Sequence, residues 1–200
     1  VQEKPVDRFA QAVPKPAPEP PPAAIPAAAA ALPSSAATCR TIAELSQALS
    51  VLNDCALPRT ASNLCFAGGN FEGHTMVIGD VAGRDEDLEG AAFAGPAATL
   101  LARMLGAIGL TSAADGAPPQ SASLFNLIPW RPPGNRPVTA QEVEQCLPFL
   151  QRAIEIVQPR FILGFGSLPA QALLQRSDSL MAMRGKWFEV KAGGRSIPMI

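Results

Sequence analysis

The chain has no tyrosine, two tryptophans and a single histidine, His74, among its 200 residues. One imidazole argues against a tetrahedral zinc site or a Ser-His-Asp relay within these residues. The four cysteines, Cys39, Cys55, Cys65 and Cys146, form no CxxC pair. Without an export signal, thiols so spaced read as reduced and cytoplasmic, not as a disulfide framework. No apolar run reaches the roughly 18 residues that a membrane span needs, and the alanine-rich stretch near residue 30 is broken by Pro26 and Pro33. Charge is scarce as well, at 16% of residues with a net −1, which argues against a uniformly basic nucleic-acid coat.

Apolar residues make up 48% of the chain, enough for one core. The charge is unevenly placed. Residues 39–120 carry four Lys/Arg against nine Asp/Glu, whereas residues 121–200 carry nine against five, so the second half is basic enough to follow a phosphate backbone. Residues 1–38 hold nine of the 21 prolines and one aromatic, Phe9. That composition cannot bury enough surface to offset its ordering entropy, and it reads as a disordered tail. The chain starts at Val1 rather than Met and stops inside an apolar run, as if cut at both ends. The expected organisation is a tail over 1–38 and one domain over 39–200 that is incomplete at its C-terminus.

A capping box at Thr41 and Glu44 opens a helix whose inner face is Ile42, Leu45, Leu49 and Leu52. Apolar runs at 76–80, 123–128, 161–165 and 197–200 read as four strands. Between them, Pro96 opens a helix with an inner face of Leu100, Leu101, Met104, Leu105 and Ile108, stopped by Gly109. Thr139 and Glu142 cap another, which Pro148 is expected to kink or split, and Ser167 starts a short one. Strands alternating with helices predict an α/β domain with a mostly parallel four-stranded sheet. Ligands in such sheets sit beyond the carboxyl ends of the strands, here the loops at 79–95, 126–136 and 164–167.

Those loops are unusual in content. Residues 79–95 read GDVAGRDEDLEGAAFAG, and 126–139 read NLIPWRPPGNRPVT, with prolines at 129, 132, 133 and 137. On composition alone the first is an acidic solvated loop, Asn126 a turn residue and Phe93 a core aromatic. A magnesium site has no Lys-bearing phosphate loop to go with it, and GFGS at 164–167 is too short for a nucleotide fingerprint.

Taken together with PRFILGFGSLPAQALL and RGKW, these segments resemble the family 4 uracil-DNA glycosylases, in order and spacing, from about Leu52 to Ile200. The resemblance implies a three-layer αβα fold of the uracil-DNA glycosylase type. It also implies hydrolysis of the N-glycosidic bond of a uracil flipped out of single- or double-stranded DNA, the first step of base-excision repair. Asn126 would bond the polar edge of the base and Phe93 would stack on its ring, with Val81 beside the pocket. Asp80 or Glu86 would favour the sugar cation or orient water, Glu86 being preferred because it matches the family motif unaltered. Arg131, Pro132, Pro133, Asn135, Arg136, Arg184 and Lys186 would grip the DNA backbone. DNA is the implied partner, and a monomer is expected.

The chain departs from the family pattern in three places. GEAPG has become Gly79-Asp80-Val81-Ala82-Gly83, with a shorter acid and no proline. Of four cysteines that hold a [4Fe-4S] cluster in the family, only Cys55 and Cys146 match; Leu52 and Trp130 stand at the other positions, so no cofactor is expected. Cys39 and Cys65 read as ordinary small hydrophobes. The family's HPSxLL motif, whose histidine stabilises the uracil oxygen, would lie past Ile200, and His74 precedes the first strand at the other end of the sheet. A catalytically weak DNA-binding or interaction protein on the same fold is therefore the rival reading.

Overall fold

A computed structural model describes residues 34–52, 54–112 and 120–200. Among these residues the sheet has six strands, not four: β1 (Ala67–Gly69), β2 (Thr75–Val81), β3 (Ala122–Ile128), β4 (Phe161–Phe165), β5 (Phe188–Ala192) and β6 (Arg195–Met199). Their order is β1-β3-β2-β4-β6-β5. The four expected strands form its parallel centre, and antiparallel β1 and β5 flank it. Only the first was hard to foresee. β1 is three residues long and two are glycine, which gives almost no strand propensity. β5 joins β6 through Gly193 and Gly194, both at positive φ, a two-residue hairpin signal the sequence did carry.

Helices cover both faces. On one lie α1 (Ser34–Ala37), α2 (Ile42–Ser50), α5 (Ala140–Val157), α6 (Ser167–Leu174) and α7 (Leu180–Met183). The larger apolar cluster forms beneath them, with Leu45, Leu49, Met76, Ile78, Phe125, Phe149 and Ile154 fully enclosed. On the other face, α4 (Gly95–Ala107) presses Leu101 and Leu105 onto Val77, Ala122 and Leu124. Alternation along most of β3 decides this division: Ala122 and Leu124 face the α4 side, and Phe125 and Leu127 face the other.

Three expectations about helices need correction. Leu100, Met104 and Ile108 are exposed, since α4 meets the sheet through a stripe only Leu101 and Leu105 wide. α5 runs on through Pro148 and is not split there, because Val143, Cys146 and Leu147 before the proline and Phe149, Leu150, Ala153 and Ile154 after it are buried in one continuous core. Ser34–Ala37, assigned to the tail by composition, are helical, with Ala36 wholly buried. The rest of the expected tail, 1–33, lies outside the described residues.

The narrow stripe gives a differential test. Leu105→Ala should cost about 2–5 kcal/mol in urea unfolding, the usual range for a buried leucine, whereas Leu100→Ala should stay within about 0.5 kcal/mol.

Candidate active site

β2, β3 and β4 end together, and their register puts three residues side by side. Gly79 of β2 pairs with Asn126 on β3 and with Phe165 on β4, all on the face that α4 covers. Gly79 is a floor without a side chain. A Cβ there would stand 2.8 Å from Asn126 Oδ1 and 2.8 Å from Phe93 Cζ. The amide and the aromatic ring are thus neighbours over one point, as the sequence predicts. Phe93 also meets Phe165 edge to face, with centroids 6.5 Å apart, and its φ of 57° is a conformation that L side chains seldom adopt.

Asn126 is almost completely buried. Its Nδ2 donates to the Cys65 carbonyl at 3.1 Å, and its backbone N–H donates to the Phe66 carbonyl. A carbonyl only accepts, so the amide is fixed with nitrogen towards Cys65 and oxygen towards Gly79.

Asp80 stands next along β2. Its Oδ1 accepts from the N–H of Leu168 at 3.0 Å, at the first turn of α6. Gly166, at φ 113°, leaves the room: a Cβ there would lie 2.1 Å from the Asp80 carboxyl carbon. Burial raises the Asp80 pKa to about 6, against a partial offset from the amides of Leu168 and Ser167.

Residues 84–89, expected to be part of an acidic loop, form a helix, α3 (Arg84–Glu89), stopped by Gly90 in the left-handed region. Glu86 accepts from the Gly83 N–H and so caps its own helix. Each of the two acids is thus bonded to a backbone amide. Asp87 is not solvated either; it is buried and accepts from the N–H groups of Ser62 and Asn63. Val81 packs partly on the larger cluster.

The proline-rich loop leaves the end of β3. Pro133–Asn135 is a single 3₁₀ turn with Gly134 and Asn135 at positive φ. Arg131 Nε donates to Asn135 Oδ1 at 2.8 Å. Arg136 is held through both terminal nitrogens by Glu142, at 2.6 and 3.0 Å. Glu142 is buried, and the guanidinium beside it keeps its carboxyl below the usual range. Pro132 is buried and Pro133 exposed. Arg184 and Lys186 are exposed at the same end of the sheet, on a cavity of about 110 Å3 shared with Gly164 and Met199. A larger cavity of about 490 Å3 lies by the β5–β6 turn, at the opposite end, and touches none of these residues. His74 is also at that opposite end, just before β2.

Asn126, Phe93 and Asp80 thus stand together at the carboxyl ends of the central strands, and the proline-rich loop leaves from the same end of the sheet. A model of the uracil DNA glycosylase superfamily matches residues 66–199. The chain belongs to that superfamily. It is 33% identical over 150 residues to the type-4 uracil-DNA glycosylase of Archaeoglobus fulgidus, covering 73% of this chain and 72% of the relative. It is 30% identical over 149 residues to the type-4 enzyme of Pyrobaculum aerophilum, covering 72% of each. For the type-4 enzyme of Thermotoga maritima the identity is 28% over 145 residues, again 72% of each.

The iron–sulfur cluster of the resemblance does not fit this chain. Cys55 and Cys146 are neighbours, and their interaction lowers Cys55 to about 7 and raises Cys146 well above the usual thiol value. Trp130 is buried in the same cluster and Leu52 packs against it. Two thiols with an indole and an isobutyl group are half of the donor set such a cluster takes. Among the described residues no three His, Cys, Asp or Glu come together in a metal-binding group. Cys39 and Cys65 are buried as expected, but each thiol donates to a carbonyl, of Ser35 and Glu86 respectively, at 3.0 Å.

Sequence reasoning missed Gly79, Cys65, Asp87 and Gly166 as parts of this site. Gly166 had a signal, since a glycine between a strand and a helix start marks a close approach. A backbone carbonyl such as that of Cys65 leaves none.

The Asp80 environment has a stability consequence. Its folded pKa of about 6 lies above the free value of 3.8, so its contribution is fully present below pH 3.8 and is lost as pH rises through about 6. Urea unfolding between pH 4 and 7 should show that loss, and Asp80→Asn, which keeps an acceptor for Leu168, should flatten it.

Proposed function

We propose that the chain excises uracil from DNA by hydrolysing the N-glycosidic bond. The observation that carries this reading is the convergence of Asn126 and Phe93 over Gly79. A glycosidic carbon is out of reach inside a duplex, so the base is everted into the site. Phe93 supplies the stacking plate. Asn126 offers Oδ1 to N3–H and its second amide hydrogen to O4, the polarity of uracil and the reverse of cytosine. As the C1′–N1 bond breaks, its electron pair leaves on the uracil, where the amide donor favours the developing charge. Water bonds to C1′ and gives its proton to the Asp80 carboxylate, whose raised pKa suits a base near neutrality. Arg131, Pro133 and Asn135 present a preformed edge to the DNA backbone, with Arg184 and Lys186 as further phosphate contacts. Arg136 acts by holding that loop to α5 through Glu142. The site works without a cluster, since only two of four thiol positions remain.

A DNA-binding protein of low catalytic rate on the same fold is favoured by one observation: the α6 amides already engage the Asp80 carboxylate. One assay separates the two readings. With a single-uracil oligonucleotide and alkaline strand scission, wild type should cut and Asn126→Ala should lose at least about 100-fold. The rate should climb as pH rises through about 6, with the Asp80 carboxyl, and Asp80→Asn should remove that step. Retention of uracil-containing DNA with no scission at any pH would select the binding reading. Purified protein should also lack iron and the brown colour of thiolate-bound iron; two or more irons per chain would contradict the cluster-free site.

A further inference from the structure

Asp87 makes no contact with the base in the reading above, yet its side chain is among the few buried charged groups described. Its Oδ1 accepts from two successive backbone amides, Ser62 at 2.8 Å and Asn63 at 3.1 Å, and Asn63 Nδ2 returns a bond to the Asp87 carbonyl at 2.7 Å. Two residues further on, the Cys65 thiol donates to the Glu86 carbonyl at 3.0 Å, and the Cys65 N–H donates to the Pro129 carbonyl at 2.8 Å. Residues 62–65 are thereby clamped between α3 and the end of β3. The one outward product of the clamp is the Cys65 carbonyl, which takes Asn126 Nδ2.

We propose that Asp87 is a positioning residue for base selection: by clamping residues 62–65 it fixes the Cys65 carbonyl and thus the orientation of the Asn126 amide. A flipped amide would set its oxygen against the Cys65 oxygen, acceptor against acceptor, at a position buried from solvent. Only the unflipped form presents an acceptor to N3–H and a donor to O4. Discrimination against cytosine then resides in a carbonyl that never touches the base, held by a carboxylate one step further away. Burial and the neighbouring acids push the Cys65 thiol up to about 12, so the third tie stays a neutral donor at any working pH. The inference rests on the reading of Asn126 as the base-selecting amide.

The test uses the full chain labelled with 15N, with the Asn126 side-chain amide identified by its loss in Asn126→Ala. Asp87→Ala should speed hydrogen exchange of that amide by at least about tenfold, the scale of a lost hydrogen bond to a charged group. Exchange at the Ile154 backbone amide, in the core, should be unchanged and reports any global opening. Single-turnover uracil excision per folded molecule should fall about as much. Asp87→Asn keeps an acceptor oxygen for both backbone amides and should restore both readouts. If Asp87→Ala does not fold, Asn63→Ala removes one tie and should move both readouts in the same direction by a few-fold. An Asn126 amide that exchanges at the wild-type rate in the alanine variants would overturn the inference, as would an Asp87→Asn protein as impaired as Asp87→Ala. If Asn126→Ala excises uracil at full rate, the reading of the base site fails instead, and the exchange result still reports on the clamp.

Discussion

A missing side chain at Gly79 is the constraint on which the rest depends. Three parallel strands end in register there, and an added methyl would meet an amide oxygen on one side and a phenyl carbon on the other. The sheet centre is filled by Met76, Val77, Ile78, Leu124 and Phe125, and its apolar packing continues up to this residue and stops. The rigid core brings Asn126 and Phe93 together, and the glycine leaves space between them. Phe93 is held at positive φ between Ala92 and Ala94, both buried, so the ring is placed by its neighbours and not by its own preference.

How far the sequence foretold this depends on whether a feature leaves a side-chain trace. Strands β2, β3, β4 and β6 and the helices capped at Thr41 and Thr139 were legible, because burial and capping impose residue types at fixed spacing; the nearness of Phe93 and Asn126 was implied only by the family resemblance. α4 was placed correctly but given too wide a buried face: Leu100, Met104 and Ile108 share the helical period with Leu101 and Leu105, and periodicity cannot say how far a helix sinks into its neighbours. The acidic run at 85–87 misled for a related reason. Three consecutive acids look solvated, yet the helix turns each a different way, so Asp87 is enclosed while Glu86 caps the turn. The roles of Gly79 and Cys65 come from backbone positions set by strands far apart in the chain, which no local pattern encodes.

Cys55 and Cys146 lie in a corner of the fold that is packed with apolar side chains. Trp130, flush with the core, and Leu52, packed beside it, fill volume with apolar surface, and the remaining thiols satisfy each other. The segment after α2 is thereby tied to α5 by packing, with the Gln145 side chain bonding the Asp54 carbonyl as a further tie. Dispersion and burial act there over a broad area, whereas metal ligation would concentrate the same restraint on four atoms.

The internal pairing of Arg136 with Glu142 reaches beyond the loop it holds. A polyanion exchanges its condensed small ions only for cations that come to it unspent, and a guanidinium already neutralised from within displaces few. On the proposed function, the ionic-strength sensitivity of DNA association would fall to Arg131, Arg184 and Lys186, while Arg136, paired with Glu142, adds stiffness where its charge would have suggested attraction.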